Sequence, residues 1–232
     1  MRQPVFPLMI FAAGFGTRMG ALTAHRPKPL IAVAGVPLLD RALALGRQAG
    51  AAPVVVNTHY LGDQIAAHLQ GSGIAISDEP DEILETGGGL RQALPLLGPG
   101  PVMTLNPDAV WAGPNPLALL AQAWDPARMD ALLLTMPAEK VKGRGARADF
   151  TLDEQGRIRR AEGAPGVLYL GAQILKPDGL ADIPDRAFSL NLLWDRMIAE
   201  GRAHALTYPG KWCDVGSPEG LAAAKALLAG AP

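Results

Sequence analysis

Three groups of residues have types and spacings suited to phosphate and metal chemistry. The first is FAAGFGTRMG at 11–20, entered from an apolar stretch. Ala12, Ala13, Gly14 and Gly16 are small, so backbone N–H groups there can approach phosphate oxygens closely, and the two glycines supply the backbone freedom this needs. Thr17 belongs to the same run. Arg18 adds a planar fork of donors, and Lys28, held between Pro27 and Pro29, adds a second cation on a stiff segment. A Rossmann dinucleotide loop would need glycine where Met19 stands, a Walker A loop would need Gly-Lys-Ser/Thr, and a solvated glycine turn is the plain alternative. The position of the run, directly after a strand-like stretch and just before Pro27-Lys28-Pro29-Leu30, favours phosphate binding.

The second group is Glu85-Thr86-Gly87-Gly88-Gly89, which opens an amphipathic helical pattern. Thr86 is expected to cap that helix. Glycines inside a helix cost about 1 kcal/mol each, but they leave bare backbone against which a flat base or a phosphate can lie. The third is Asp108, closing Asn106-Pro107-Asp108 after the apolar run 101–105. Ligands gather beyond the carboxyl ends of parallel strands, and a hard carboxylate there suits Mg²⁺. A turn-forming Asn-Pro-Asp is the alternative.

These groups need a scaffold that brings them together. Apolar runs at 5–13, 53–57, 74–77, 101–105 and 131–136 alternate with helical patterns at 37–49, 61–69, 86–97 and 116–124. That is the pattern of an α/β fold, a Rossmann-like, mainly parallel sheet with helices on both faces. Pro7 is expected to confine the start of the first strand to an edge. Residues 27–33 are expected to be extended, because residues before proline avoid the helical region. After residue 140 the pattern changes to short antiparallel strands at 150–152, 158–161 and 167–174, turned at Gln155-Gly156, then a helix at 190–200, a strand at 203–208 and an Ala-rich helix at 218–229.

Composition excludes several classes. In 232 residues, 49% hydrophobic and 19% charged, there is core enough for a folded domain without disulfides or metals. A net charge of −1 offers no general field for nucleic acid or anionic membrane. The single cysteine, Cys213, excludes an intrachain disulfide framework and a cysteine zinc site, and the four histidines form no HExxH pair. No apolar run reaches the length of a membrane span, and the apolar start is too short for a secretory signal, so the expected location is the cytoplasm. The sequence carries no reading of oligomeric state.

Taken together, Gly14-Phe15-Gly16-Thr17-Arg18-Met19, Pro27-Lys28-Pro29-Leu30 and Ala34-Gly35-Val36-Pro37-Leu38 resemble the signature of the sugar-1-phosphate nucleotidyltransferases. The resemblance implies a glycosyltransferase-A-like fold in one domain. About 1–140 would hold the nucleotide, about 141–217 would form a small antiparallel sugar-binding part, and 218–232 would be a closing helix. It implies a nucleoside triphosphate and a sugar 1-phosphate as partners, with Mg²⁺ as cofactor. The short chain and the Glu85–Gly89 run point within the family to UTP and N-acetylmuramate 1-phosphate, a role in cell-wall sugar recycling. Mannose- or heptose-1-phosphate guanylyl transfer is the alternative, and a non-catalytic nucleotide-binding module is the alternative of another class.

Residue by residue, the resemblance makes Arg18 and Lys28 the catalytic cations. It assigns Ala12, Ala13, Gly14, Gly16, Thr17, Asn57, Glu85, Thr86, Gly87 and Gly88 to the nucleotide, and Asn106, Asp149, Glu162 and Asn191 to the sugar. Asp214, in Asp214-Val215-Gly216-Ser217, becomes the second metal carboxylate beside Asp108, while Ser217, Pro218 and Glu219 read as an ordinary helix start. Asp149 and Glu162 read alternatively as solvated turn carboxylates, and Asn57, with His59, as a loop cap. Two departures stand out. Pro107 replaces a glycine of the family, and the usual sugar-phosphate lysine is missing from Glu162-Gly163-Ala164-Pro165. Lys142, Arg144 and Lys211 are candidates to replace it. The cation-rich run 140–147 is expected to close on the sugar, with Lys142, Arg144 or Arg147 meeting the lactyl carboxylate.

Overall fold

Leu8, Ile10, Met103 and Leu105 face one side of a sheet, while Met9 and Val102 face the other, as the two-residue period of a strand requires. Both sides are covered, so these segments read as continuous apolar runs. The protein is described by a computed structural model covering residues 4–141 and 147–230. In chain order the elements are β1 (Leu8–Phe11), β2 (Ala32–Val33), β3 (Val36–Pro37), α1 (Leu38–Ala49), β4 (Val54–Thr58), α2 (Gly62–Leu69), β5 (Ala75–Asp78), α3 (Glu85–Leu97), β6 (Val102–Leu105), β7 (Ala109–Ala112), α4 (Pro116–Ala123), β8 (Ala131–Pro137), β9 (Phe150–Leu152), β10 (Ile158–Arg160), β11 (Val167–Leu175), α5 (Asn191–Ala199), β12 (Ala203–Thr207), β13 (Lys211–Asp214) and α6 (Pro218–Leu228).

The main sheet runs β5-β4-β1-β6-β11-β8-β12. β4, β1, β5 and β6 are parallel, and β11 is antiparallel to both its neighbours, β6 and β8. The β9–β10 hairpin attaches to the start of β11 through Phe150 and Val167. Helices α1, α2 and α4 pack on one face through Leu39, Leu43, Ile65, Leu69, Leu117 and Leu120. Helices α3 and α5 cover the other through Leu90, Ala93, Leu97, Leu193, Trp194 and Met197. A separate antiparallel arm, β7 with β13, is backed by α6 and β2 through Val110, Val215, Ala224 and Val33.

The expected α/β class and mainly parallel sheet are borne out. Details differ. β1 lies in the middle of the sheet: its pairing starts at Leu8, and Pro7 sits just outside it, its carbonyl accepting from Met103 N at 2.9 Å. Residues 28–30 form a 3₁₀ turn instead of an extended segment, with Leu30 N donating to Pro27 O at 2.9 Å. Pro29 fits near the start of that turn, where an N–H would have no partner within it. β8 joins the sheet between β11 and β12, antiparallel to the first and parallel to the second, and is separated by β11 from β6, β1, β4 and β5. β7 and β13 carried no expectation: each has four residues, and they pair with each other outside the main sheet.

Candidate functional site

The glycine-rich run leaves β1 and turns back on itself. Gly16 has φ +65°, and a Cβ there would lie 2.9 Å from Lys28 Cβ, so conformation and space both demand glycine. Met19 N donates to Gly16 O at 2.9 Å, Thr23 Oγ1 donates to Gly16 O at 3.1 Å, and buried Met19 anchors the turn against α6 and the arm. Ala12, Ala13, Gly14, Gly16, Thr17, Arg18 and Lys28 line one cleft of about 320 Å³ together with Asn57, Glu85, Thr86, Asn106 and Asp108. The structure thus brings together most of the residues expected at the nucleotide.

The β7–β13 arm places the two aspartates. Asp214 pairs with Ala109 in the ladder, and Val215 N donates to Asp108 O at 2.8 Å, so Asp108, at the entry to β7, lies beside Asp214, at the end of β13. Each faces a cation. Lys28 Nζ lies 2.6 Å from Asp108 Oδ2, with the lysine side chain only 12% exposed, and Arg18 Nη1 lies 3.9 Å from Asp214 Oδ2, with the arginine 66% exposed. Pro107 does not remove Asp108 from the cleft. Among the described residues no cluster of three or more His, Cys, Asp or Glu could hold a metal. Two neighbouring carboxylates nonetheless fit Mg²⁺, a hard ion that takes one or two carboxylates and completes its shell with water and substrate phosphate.

Gly216 keeps this corner open. A Cβ there would lie 2.7 Å from Asp214 Oδ2 and 2.8 Å from Arg18 Nη1. Gly216→Ala should therefore push those two groups aside, cutting kcat/KM about tenfold while the melting temperature stays within about 2 °C, since exposed Arg18 can swing away at little cost to the fold. A calorimetric scan beside an activity assay checks both halves; unchanged activity would mean that the corner tolerates a methyl group.

A buried polar chain sets the floor of the first cleft. Ala12 N donates to Asn57 Oδ1 at 2.7 Å, Asn57 Nδ2 donates to Glu79 Oε1 at 2.6 Å, and Leu84 N donates to Glu79 Oε2 at 2.8 Å. The ends of β1, β4 and β5 and the entry to α3 are thereby tied together. Asn57 lines the cleft and braces it at once. Glu79, 1% exposed, carried no expectation; a carboxylate directly after a strand, in Asp78-Glu79-Pro80, was the available signal. Burial raises its pKa from 4.5, opposed by the hydrogen bonds from Leu84 and Asn57. The folded state therefore holds this proton at pH values where the unfolded chain has lost it, and Glu79's contribution to stability falls as pH rises from about 4.5 through the raised value. Glu79→Gln turns an amide donor toward one of the two donors. It should cost about 1–2 kcal/mol near pH 4.5 and less at higher pH, as denaturant titrations across that range would show.

The glycines of α3 need a correction. Gly87 and Gly88 line neither cleft, and their N–H groups donate to Phe188 O at 2.8 and 3.1 Å. A Cβ on Gly87 would strike the Phe188 ring, one on Gly88 the Arg186 carbonyl, and one on Gly89 would lie 2.7 Å from Glu79 Oε1. The bare backbone of Gly87 and Gly88 is met by the protein's own segment 186–188, and that of Gly89 by Glu79. Thr86 is not the helix cap: the residue before the helix is Leu84, and Thr86 Oγ1 accepts from Leu190 N at 3.0 Å. Glu85 and Thr86 do line the first cleft, with Glu85 in the left-handed region at φ +57°.

A second cleft of about 330 Å³ adjoins the first and shares Arg18, Thr86, Asn106 and Asp108 with it. Asp149, Asn191 and Asp214 line it. The bulge of β11 shapes this side: Gly171, at φ +85°, accepts from Asn106 N at 2.7 Å, and Tyr169 N donates to Asp149 Oδ2 at 2.9 Å. Glu162, exposed at φ +48°, is brought to neither cleft, nor are exposed Lys211 and Arg147. Lys142 and Arg144 lie outside the described residues. His59 meets Glu79 O through Nδ1 at 2.6 Å and packs edge-on against Phe15, outside both clefts. Arg160, for which no role was expected, lines the second cleft.

Residues 8–213 match the profile of the MobA-like NTP transferase domain. The chain is 43% identical to an N-acetylmuramate alpha-1-phosphate uridylyltransferase of Caulobacter vibrioides, over 95% of this chain and 96% of that one. It is 36% identical to a protein of the same name from Neisseria meningitidis serogroup B, over 94% and 96%. Among solved structures, a UDP-glucose pyrophosphorylase complexed with UDP-glucose superposes with a TM-score of 0.79 at 17% identity, over 98% of this chain and 99% of that one, and shares the glycosyltransferase-A-like fold.

Proposed function

The chain belongs to the MobA-like NTP transferase family and transfers a nucleotidyl group to a sugar 1-phosphate, and we propose that its substrates are UTP and N-acetylmuramate 1-phosphate. The observation that carries the reading is the pair of adjoining clefts that meet at Arg18, Asn106 and Asp108. One takes the nucleotide, on the part up to about residue 140; the other takes the sugar, on the part from about 141 to 217. The closing helix α6 (Pro218–Leu228) backs the arm. The reaction belongs in the cytoplasm, where nucleoside triphosphates are made, and returns a cell-wall sugar to nucleotide-activated form.

The sugar phosphate oxygen attacks the α-phosphorus of UTP, a bond to that phosphorus forms, and pyrophosphate leaves with the electrons of the broken bond. The nucleophile is already an anion near neutral pH, so no protein base is needed. The chain has to position two polyanions and offset their charge. Backbone N–H groups of the 13–17 run receive the triphosphate, that of Ala12 being held by Asn57. Arg18 and Lys28, which line the first cleft and face Asp214 and Asp108, offset the negative charge that builds on the reacting phosphates. Asp108 and Asp214 would hold Mg²⁺, which when bound neutralises phosphate charge and favours departure of pyrophosphate.

Release of pyrophosphate from UTP, GTP and CTP, each with N-acetylmuramate, N-acetylglucosamine and mannose 1-phosphates, tests the assignment. UTP with the muramyl substrate should give the highest kcat/KM. Turnover of GTP with mannose 1-phosphate, with the muramyl substrate ignored, would reassign the enzyme as a guanylyltransferase.

A further inference from the structure

We propose that Arg160 is the specificity residue that receives a carboxylate carried by the acceptor sugar, a reading that rests on N-acetylmuramate 1-phosphate as acceptor. This sugar bears a lactyl carboxylate besides its phosphate. The second cleft is an unfavourable place for such a group, since Asp108, Asp149 and Asp214 all line it. A cation must therefore face the lactyl group. Among the described residues lining this cleft, Arg18 and Arg160 are the cations. Arg18 stands at the junction with the first cleft, beside Asp214, where the reacting phosphates meet. Arg160 remains for the acceptor's own carboxylate.

The guanidinium of Arg160 is held for such a task. It sits 5.1 Å over the Phe150 ring and 6.0 Å from the Trp194 ring. Those rings are fixed in turn, since Phe150 and Trp194 meet edge-on at 5.9 Å and Trp194 Nε1 donates to Gln173 Oε1 at 2.9 Å. Nε donates to Asp195 Oδ1 at 2.8 Å, Nη2 lies 2.8 Å from the same oxygen in an ion pair, and Nη2 also donates to Asn191 O at 3.3 Å. Nη1 has no hydrogen-bond partner among the described residues. Asp195 lies outside the cleft lining and is 54% exposed, so water screens its charge. The plane of the fork is thus set before a ligand arrives, which lowers the ordering cost of a carboxylate–arginine contact.

The test compares two acceptors that differ in the lactyl group, N-acetylmuramate 1-phosphate and N-acetylglucosamine 1-phosphate, with UTP and the full chain. Arg160→Gln should lower kcat/KM for the muramyl acceptor at least about tenfold more than for the other, chiefly through KM, and Arg160→Lys should recover part of that difference. An equal loss on both acceptors would overturn the proposal, because a role toward the phosphate or in folding has no reason to distinguish them. Wild-type enzyme that uses the muramyl acceptor well, with Arg160→Gln doing so equally well, would overturn Arg160 alone. Wild-type enzyme with no activity on the muramyl acceptor would overturn the substrate assignment and this proposal with it.

Discussion

Replacing Asp108 or Asp214 with alanine should lower turnover at least about a hundredfold, ~3 kcal/mol or more of lost transition-state stabilisation. The fold gives little reason for a structural effect of this size. The arm that carries both residues is held by backbone pairing and by buried Val110 and Val215, none of which needs a carboxylate. What each variant loses is a hard oxygen donor and the partner of a cation, Lys28 at 2.6 Å or Arg18 at 3.9 Å. A chelator should abolish wild-type activity, and added Mg²⁺ should restore it. In the alanine variants excess Mg²⁺ should recover little. Circular dichroism should match wild type in both; the thermal scan should match for Asp214→Ala, whereas Asp108→Ala should melt earlier because Lys28, 12% exposed, loses its partner. Full activity in either variant would remove that residue from the site.

Gly88→Ala should destabilise the protein by about 2–3 kcal/mol and lower its melting temperature by about 4–12 °C. Helix propensity alone argues the other way, since alanine in place of glycine gains about 1 kcal/mol in a helix. The tertiary term wins because the new methyl group would collide with a backbone carbonyl, that of Arg186, which cannot rotate away as a side chain can. To relieve the collision, segment 186–188 must retreat, loosening the bonds from Gly87 and Gly88 to Phe188 O. Ser189 and Asn191 on the sugar side then shift with it, so the KM for the acceptor should rise as well. A melting temperature equal to or above that of wild type would refute this account of the glycines.

The parallel part of the sheet was legible because covered strands write long apolar runs and their helices write a 3.6-residue period. The phosphate loop was legible because Gly14, Gly16, Arg18 and Lys28 are close in sequence. The partner of Asp108 was suggested by resemblance alone, since the strands that bring Asp214 to it have four residues each and join no other sheet. Gly87 and Gly88 were misread for a related reason: local sequence shows that a backbone is bare but not what lies against it, and here that is a segment about 100 residues away. Arg160 was invisible because its cleft exists only once the β9–β10 hairpin, β11 and α5 are assembled. Glu162, two residues further on, points to the limit of spacing as a guide. The turn after β10 leaves it exposed, while Arg160, still on the strand, lines the cleft.

The contact between α3 and the chain before α5 also bears on how such an enzyme can be recombined. Arg91 of α3 donates to Ile183 O at 2.6 Å and Asp185 O at 2.5 Å, and its guanidinium sits 4.7 Å over the Phe188 ring. Thr86 accepts from Leu190, two residues after Phe188 takes the N–H groups of Gly87 and Gly88. A crossover near residue 140, at the seam suggested by the change of sequence pattern, would therefore pair an α3 from one parent with a 183–190 segment from another. A graft of a new acceptor preference should be made as a three-piece exchange, in which residues 84–91 travel with the 183–190 segment they grip. A two-part exchange at that seam would split these contacts between parents, whereas substitution within the cleft leaves them whole.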